Sequence, residues 1–179
     1  MSARYAMAVD TRRCVGCNAS VIACKVENQL PLGGFRNWVA TETCGVFPHL
    51  SQEIRSERCY HCENPPCVRV CPTGASHVAE GGAVLVTTAT CTGCGACVEA
   101  CPYGARYLHP EGYADKCTFC LHRVRKGKQP ACVEACPTRA LTFGDLNDPA
   151  SEIARLLRER KHKVNRPELG TQPRVFFLT

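Results

Sequence analysis

The sequence lacks the long apolar runs that membrane insertion and secretion require. No uninterrupted apolar run of 18 occurs in its 179 residues, so the sequence predicts no membrane-spanning helix. The opening segment MSARYAMAVDTRR has no apolar core, and its alternating apolar residues are typical of a strand and not of a signal peptide. We therefore expect a soluble chain, or one that reaches a membrane only through a partner.

Recognisable catalytic machinery is also missing. The sequence offers no phosphate-binding loop, no nucleophile–base constellation and no open metal site, so no residue is expected to act on a substrate. Aromatic residues are few and scattered, with one Trp, five Tyr and six Phe. Because a nucleic-acid-binding surface usually combines free basic residues with aromatics, no nucleic-acid partner is expected.

Cysteine, by contrast, is abundant. Sixteen of the 179 residues are Cys, a density that indicates either a disulfide scaffold or metal centres. Disulfides require an oxidising compartment, and cysteines as crowded as these would form strained or ambiguous bridges. The composition therefore favours metal centres.

Fifteen of the cysteines fall into four groups that are variants of one motif. The third group, CTGCGACVEACP, has the full C-x2-C-x2-C-x3-C spacing of bacterial ferredoxins. The second, CYHCENPPCVRVCP, has a longer middle gap, and the fourth separates its two pairs by eleven residues. The first group, CVGCNASVIACK, has Ser20 where a third thiol is expected.

This repeated motif favours iron–sulfur clusters over zinc. Structural zinc sites also use C-x2-C pairs, but zinc does not explain the third members of the groups or their repeated x3-Cys-Pro ending. His61 and His122 lie beside cysteines and are interpreted as neighbouring or surface residues, not as ligands. Fifteen thiolates on four clusters would change the formal charge from +6 to about −1, so the surplus Lys and Arg is interpreted mostly as countercharge.

Between the cysteine groups the sequence predicts an α+β fold of short elements. Alternation predicts strands in RYAMAVD and RNWVATET, and glycines predict hairpins around 81–82 and 110–112. Each Cys-x3-Cys pair should lie on a single helical turn that the following proline ends. After Asp148 the sequence predicts a helix with Pro149 at its first position, and a strand closes the tail RPELGTQPRVFFLT.

Four cysteine groups with these spacings resemble the four-cluster electron-transfer subunits of membrane-associated molybdopterin oxidoreductases. That family includes the iron–sulfur subunits of polysulfide, thiosulfate, tetrathionate and dimethyl sulfoxide reductases, and of some formate dehydrogenases. The resemblance covers nearly the whole chain, from RYAMAVDTRRCVGC to RPELGTQPRVFFL. It implies two interleaved ferredoxin-like 4Fe-4S domains, with a C-terminal helix and docking tail. The implied bounds are 1–52 plus 110–147 for the outer half, 53–109 for the inserted half and 148–179 for the tail.

The resemblance also implies the ligands of four clusters, because the last cysteine of one group ligates the cluster of another. The four implied sets are Cys14, Cys17, Ser20 and Cys136; Cys24, Cys117, Cys120 and Cys132; Cys59, Cys62, Cys67 and Cys101; and Cys71, Cys91, Cys94 and Cys97. Three of these clusters are expected to be of the 4Fe-4S type.

Ser20 is where the sequence departs from the family pattern, and three alternatives stay open. The serine oxygen ligates a 4Fe-4S cluster as a non-Cys ligand, or the site holds a 3Fe-4S cluster with three thiolates. In the third alternative, Cys44, the one cysteine outside the groups, completes the site. Oxygen is a harder ligand than sulfur and would lower the reduction potential of that cluster.

The resemblance implies a non-catalytic chain that relays single electrons in a respiratory oxidoreductase. Its implied partners are a large molybdopterin catalytic subunit and an integral membrane, quinone-binding anchor subunit. A sulfur-compound reductase is the favoured complex and formate oxidation comes next; the alternative is a free-standing polyferredoxin serving soluble enzymes. We expect membrane association on the outer, periplasmic face through co-export with the catalytic subunit, with the cytoplasmic face as the alternative.

Overall fold

The structure is a computed structural model that describes residues 2–179. Within that range the chain forms ten strands, six α-helices and three single-turn 3₁₀ helices, most of them short, in agreement with the predicted α+β class. The strands are β1 (Tyr5–Asp10), β2 (Asn37–Val46), β3 (His49–Arg58), β4 (Ser76–Val78), β5 (Val84–Val86), β6 (Tyr107–Leu108), β7 (Ala114–Asp115), β8 (Leu141–Asp145), β9 (His162–Lys163) and β10 (Val175–Leu178). The helices are α1 (Ala19–Asn28), α2 (Pro66–Arg69), α3 (Ala96–Glu99), α4 (Leu121–Val124), α5 (Ala131–Glu134) and α6 (Glu152–Glu159).

A four-stranded sheet joins the two ends of the chain. Its strand order is β8-β1-β10-β9, in which β1 pairs antiparallel with β8 and parallel with β10. Because side chains alternate along a strand, Met7 and Val9 face the cysteine-containing core while Ala6 and Ala8 face Ile153 of α6. The predicted first and last strands are therefore confirmed, and β10 occupies an interior position of the sheet.

The predicted hairpins are also confirmed, as β4–β5 and β6–β7. The short helices α2, α3 and α5 each lie directly before the closing cysteine of a group, as the spacing predicts. None of the helices in residues 2–179 is long and apolar enough to cross a bilayer.

The start of the C-terminal helix differs from the prediction. α6 begins at Glu152, and the Ser151 hydroxyl caps it by accepting a hydrogen bond of 3.3 Å from the Ala154 amide. The Asp148 carbonyl instead accepts from the Ser151 amide at 3.0 Å and closes a turn that contains Pro149. The prediction that Pro149 is the first helical residue is therefore wrong, because Ser151 supplies the better cap.

A long two-stranded ribbon positions polar residues beside the cysteines. β2 and β3 pair over ten residues each, from Asn37 opposite Arg58 to Val46 opposite His49. The end of the ribbon at Asn37 is buried, whereas the far end is exposed. The buried end therefore carries Ser56 and Arg58 into the interior.

Candidate iron–sulfur sites

The first predicted ligand set lies around one cavity, which we call the first site. Cys14, Cys17, Ser20 and Cys136 all line it. The two thiols of the loop after β1 flank Gly16, whose φ of 68° suits glycine and allows the tight turn. Contact between α1 and α5 brings the distant Cys136 to this loop.

The second predicted set lines a second cavity, which we call the second site. Its members are Cys24, Cys117, Cys120 and Cys132, and each is at least nine-tenths buried. Cys24 comes from the middle of α1 and Cys132 from α5, so the helix contact that forms the first site also forms the second.

The third predicted set surrounds a third cavity, the third site, lined by Cys59, Cys62, Cys67 and Cys101. The fourth set, Cys71, Cys91, Cys94 and Cys97, is brought together less completely and is called the fourth site. Cys91 and Cys97 share a small buried cluster, Cys94 is exposed, and Cys71 follows α2, which packs against α3. The sulfur of Cys71 accepts a hydrogen bond of 3.3 Å from the Ser76 amide.

Cys44 lies away from the first site. It is exposed on the β2–β3 ribbon opposite Ser51, whereas the pair Val39 and Ser56 lines the first cavity. Five residues along a strand span about 17 Å. The structure therefore does not bring the sixteenth cysteine to Ser20.

Neither of the two histidines beside cysteines lines the first three cavities. The His61 ring is fully buried, stacks on Phe119 at 3.6 Å between centroids, and accepts a hydrogen bond of 3.0 Å from the Val84 amide. Burial holds the pKa of His61 well below its usual value, so the ring is neutral. His122 lies at the surface, with Nε2 2.8 Å from the Glu27 carboxylate.

The environment of the thiols opposes ionisation at most buried positions. Burial, with the neighbouring thiols, raises the pKa of Cys24 and of Cys62 to about 12. At Cys136 burial also acts to raise the pKa, but hydrogen bonds, among them one of 3.2 Å from the Ala140 amide, lower it overall. Because thiolates and not thiols bind metals, loading these sites must displace protons and supply positive charge.

Unpartnered buried donors fit sulfur-rich anionic clusters. Arg58 lines the second cavity and Arg106 lines the third. The Arg58 Nε, and the Nε and Nη1 atoms of Arg106, are buried with no hydrogen-bond partner in residues 2–179. Nη1 of Arg58 donates to the sulfur of Cys132 at 3.1 Å. Cluster sulfurs accept such hydrogen bonds, so both the thiols and the donors suit iron–sulfur clusters.

Sequence reasoning did not single out Arg58, Arg106 or Lys116, although it expected basic residues to act as countercharge. Their positions in the sequence could have indicated two of them, because Arg58 directly precedes Cys59 and Lys116 directly precedes Cys117. All three are almost completely buried, which is unusual for Arg and Lys.

Comparison with known proteins gives the family of this chain. The family profile of the 4Fe-4S dicluster domain matches residues 50–146. A tetrathionate reductase subunit of Salmonella typhimurium is 47% identical over 182 residues, which cover 98% of this chain and 72% of that protein. The chain belongs to the iron–sulfur subunits of the molybdopterin oxidoreductases.

Other relatives of this iron–sulfur subunit have related names. A polysulfide reductase component of Wolinella succinogenes is 44% identical over 182 residues, covering 99% of this chain and 95% of that protein. The arsenate respiratory reductase iron-sulfur subunit ArrB of a Shewanella species is 34% identical over 224 residues, covering 98% and 96%. The predictions of the family, of several iron–sulfur clusters and of a non-catalytic electron-transfer subunit are thereby confirmed.

Proposed function

We propose that this iron–sulfur subunit carries four clusters in series and relays single electrons between a molybdopterin catalytic subunit and a membrane quinone-binding subunit. The observation that carries the proposal is the gathering of cysteines from distant groups around three separate cavities. Each cluster, when bound, takes up and releases one electron. The fourth set consists of Cys71, Cys91, Cys94 and Cys97. We include it in the series because Cys91, Cys94 and Cys97 have the spacing of a ferredoxin motif.

The ligand sets proposed are the four that define the four sites. They imply two interleaved ferredoxin-like halves, with 1–52 and 110–147 around the first two sites and 53–109 around the last two. The pairing of β1 with β8 supports the outer half, since it joins segments on either side of the insertion. Residues 148–179 form a third unit, the C-terminal helix and docking tail.

At the first site we propose that the Ser20 oxygen is the fourth ligand of a 4Fe-4S cluster. Ser20 is buried, lines the cavity and has its Oγ 3.2 Å from the Ser56 Oγ. A guanidinium only donates, so Ser56 accepts a hydrogen bond of 2.5 Å from Arg58 Nη2 and keeps its own proton free to donate. Either hydroxyl of the Ser20–Ser56 pair can be the donor, and we propose that Ser56 donates to Ser20. Donation to Ser20 favours its anionic form, which is the form that binds iron.

The remaining residues of each site hold and shield the thiolates. Amide donors such as those of Ser76 and Ala140 stabilise negative charge on Cys71 and Cys136, while apolar neighbours keep water from the second and third sites. No side chain is assigned a proton-transfer or nucleophilic role, in keeping with an electron-transfer subunit.

Three relatives are named as subunits of tetrathionate, polysulfide and arsenate reductases. We propose a sulfur-compound reductase as the complex of this chain, located on the outer, periplasmic face of the membrane through co-export with the catalytic subunit. Protease treatment of intact cells and of spheroplasts tests the location. Digestion of the subunit in intact cells, or in spheroplasts but not in intact cells, supports a location on the outer face of the membrane. Protection in both places the subunit on the cytoplasmic side.

Affinity purification of the tagged chain from its native host after mild solubilisation tests the partners. The expected result is a molybdenum-containing large subunit and a membrane subunit in stoichiometric amounts. A well-behaved monomer without molybdenum would favour the free-standing polyferredoxin instead.

A further inference from the structure

Three deeply buried cations each lie between two neighbouring sites. Arg58, Lys116 and Arg106 are 0%, 1% and 4% exposed, and no other Lys or Arg in residues 2–179 is buried as deeply. Burying a charged side chain is strongly unfavourable unless an opposite charge compensates it. A negatively charged group near each of these three side chains is therefore required to offset the cost of burial.

Arg58 joins the first and second sites. One nitrogen of its guanidinium, Nη1, donates to the sulfur of Cys132 in the second site at 3.1 Å. The other, Nη2, donates to the hydroxyl of Ser56, which lines the first cavity and contacts Ser20. One guanidinium thus reaches the walls of both cavities.

Lys116 lies between the second and third sites. Its ammonium group donates to the carbonyl of Cys117 in the second site at 2.6 Å. It also donates to the carbonyl of Val84, whose side chain lines the third cavity. Both acceptors are neutral, so these bonds position the ammonium without neutralising it.

Arg106 lies between the third and fourth sites. Its side chain lines the third cavity, and its Nη2 donates to the Ser76 hydroxyl at 2.8 Å. The Ser76 amide in turn donates to the sulfur of Cys71 in the fourth site at 3.3 Å. Each of the three cations is therefore linked, directly or through one residue, to two sites: Arg58 to the first and second, Lys116 to the second and third, and Arg106 to the third and fourth.

None of the three cations pairs with a carboxylate in residues 2–179. The contrast is Arg36, also in the wall of the second cavity, whose guanidinium lies 2.8 Å from Asp115. The two arginines keep their charge even when buried. Burial lowers the pKa of Lys116, whereas the nearby Cys59, Cys117 and Cys67 act to raise it. Only the cysteine thiolates and the clusters they hold can supply the missing negative charge.

We infer that Arg58, Lys116 and Arg106 are fixed countercharges between successive sites of the relay and raise the reduction potentials of the clusters on either side. The inference rests on the proposed function. Reduction adds one electron to a cluster without making or breaking a bond, and a nearby buried positive charge stabilises the added electron. It also offsets the repulsion between successive anionic clusters, and net charge is one of the quantities that set cluster potentials.

The test compares neutral and charge-retaining variants of the anaerobically purified protein. The neutral variants are Arg58→Gln, Lys116→Met and Arg106→Gln, and the charge-retaining ones are Arg58→Lys, Lys116→Arg and Arg106→Lys. Arg125→Gln is the matched control, because its side chain is 59% exposed and pairs with Glu80 at the surface. Iron content is measured first, and a potentiometric titration with dithionite as reductant, followed by electron paramagnetic resonance, comes second.

Each neutral variant should lower the potentials of two clusters and leave the other two unchanged. The expected size is at least a tenfold change in the oxidised-to-reduced ratio at fixed potential, about 59 mV for one electron. Arg58→Gln should affect the clusters of the first and second sites, whereas Arg106→Gln should affect those of the third and fourth. The charge-retaining variants and Arg125→Gln should stay within threefold of the wild-type ratio.

The iron content of the variants also tests whether the three side chains act as countercharges. A neutral variant that loses iron while its charge-retaining counterpart keeps it supports the inference. The inference is overturned if both lose iron, or if neutral variants keep their iron with unchanged potentials or with equal shifts at all four clusters. Absence of iron from the wild-type protein would instead overturn the proposed function.

Discussion

The hydroxyl oxygens of Ser20 and Ser56 lie 3.2 Å apart on the wall of the first cavity. Ser56 accepts a hydrogen bond from the buried Arg58 and so has its own proton available for Ser20. The serine that interrupts the first cysteine motif therefore lies within hydrogen-bond distance of a hydroxyl that can donate to it, which would favour an oxygen ligand.

Replacing Ser20 tests this assignment. Ser20→Ala should remove the fourth ligand and yield a 3Fe-4S cluster, with a new paramagnetic signal in the oxidised protein and a loss of about one iron per chain. Ser20→Cys should keep the oxidised protein free of that signal and raise the potential of this cluster. Ser51→Ala, at an exposed position of the ribbon, is the control and should change nothing. A three-iron signal in the wild-type protein would contradict oxygen ligation.

Replacing Ser56 tests the hydrogen bonds around the proposed ligand Ser20 without changing Ser20 itself. Ser56→Ala removes the hydroxyl that is hydrogen-bonded to Ser20 and leaves Nη2 of the buried Arg58 without its acceptor. We expect a loss of about 1–3 kcal/mol in the free energy of unfolding, because a buried donor is left unsatisfied. Chemical denaturation followed by circular dichroism measures it, and an unchanged midpoint would show that the Ser56 contacts are dispensable.

Cys136 and Cys44 form a matched pair for the ligand assignment. Cys136→Ala should lose the first cluster, about four iron atoms per chain, because this thiol belongs to the first site. Cys44→Ala should keep all the iron, because its side chain is exposed on the ribbon. Iron analysis of the two purified variants measures the difference. Equal iron loss in both would make Cys44 a ligand after all.

The C-terminal strand is expected to be essential for stability. Leu178 of β10 is 1% exposed and packs with Ala6, Ala8 and Ile153. Leu178→Ala should lower the free energy of unfolding by about 2–5 kcal/mol, the usual range for a buried leucine. Leu32→Ala is the control, since Leu32 is 98% exposed and should change stability very little. Equal effects of the two substitutions, measured by anaerobic denaturation, would argue against this packing.

Sequence patterns predicted the strands and helices whose formation depends on neighbouring residues in the chain. Alternation identified β1 and β2, and the x3-Cys-Pro ending identified α2, α3 and α5. The strand β3 was not predicted, because SQEIRSER is mostly polar and is held by its pairing with β2 and by ion pairs such as Arg55 with Glu57.

The site was predicted as far as its cysteines. Motif spacing marked the thiols, and the resemblance to a family supplied the crossing of Cys136 and Cys24 between groups. The buried positions of Arg58, Lys116 and Arg106 could not be predicted, because an isolated charged residue is normally exposed. Their burial depends on charges that only the assembled cysteines provide.

Quantitative iron and acid-labile sulfide analysis of the anaerobically purified protein tests the central claim most directly. A four-cluster relay with an oxygen-ligated first cluster predicts about 16 iron and 16 sulfide per chain, in a brown protein that takes up about four electrons. About eight iron, as for two clusters, or a colourless protein loaded with zinc, would contradict it.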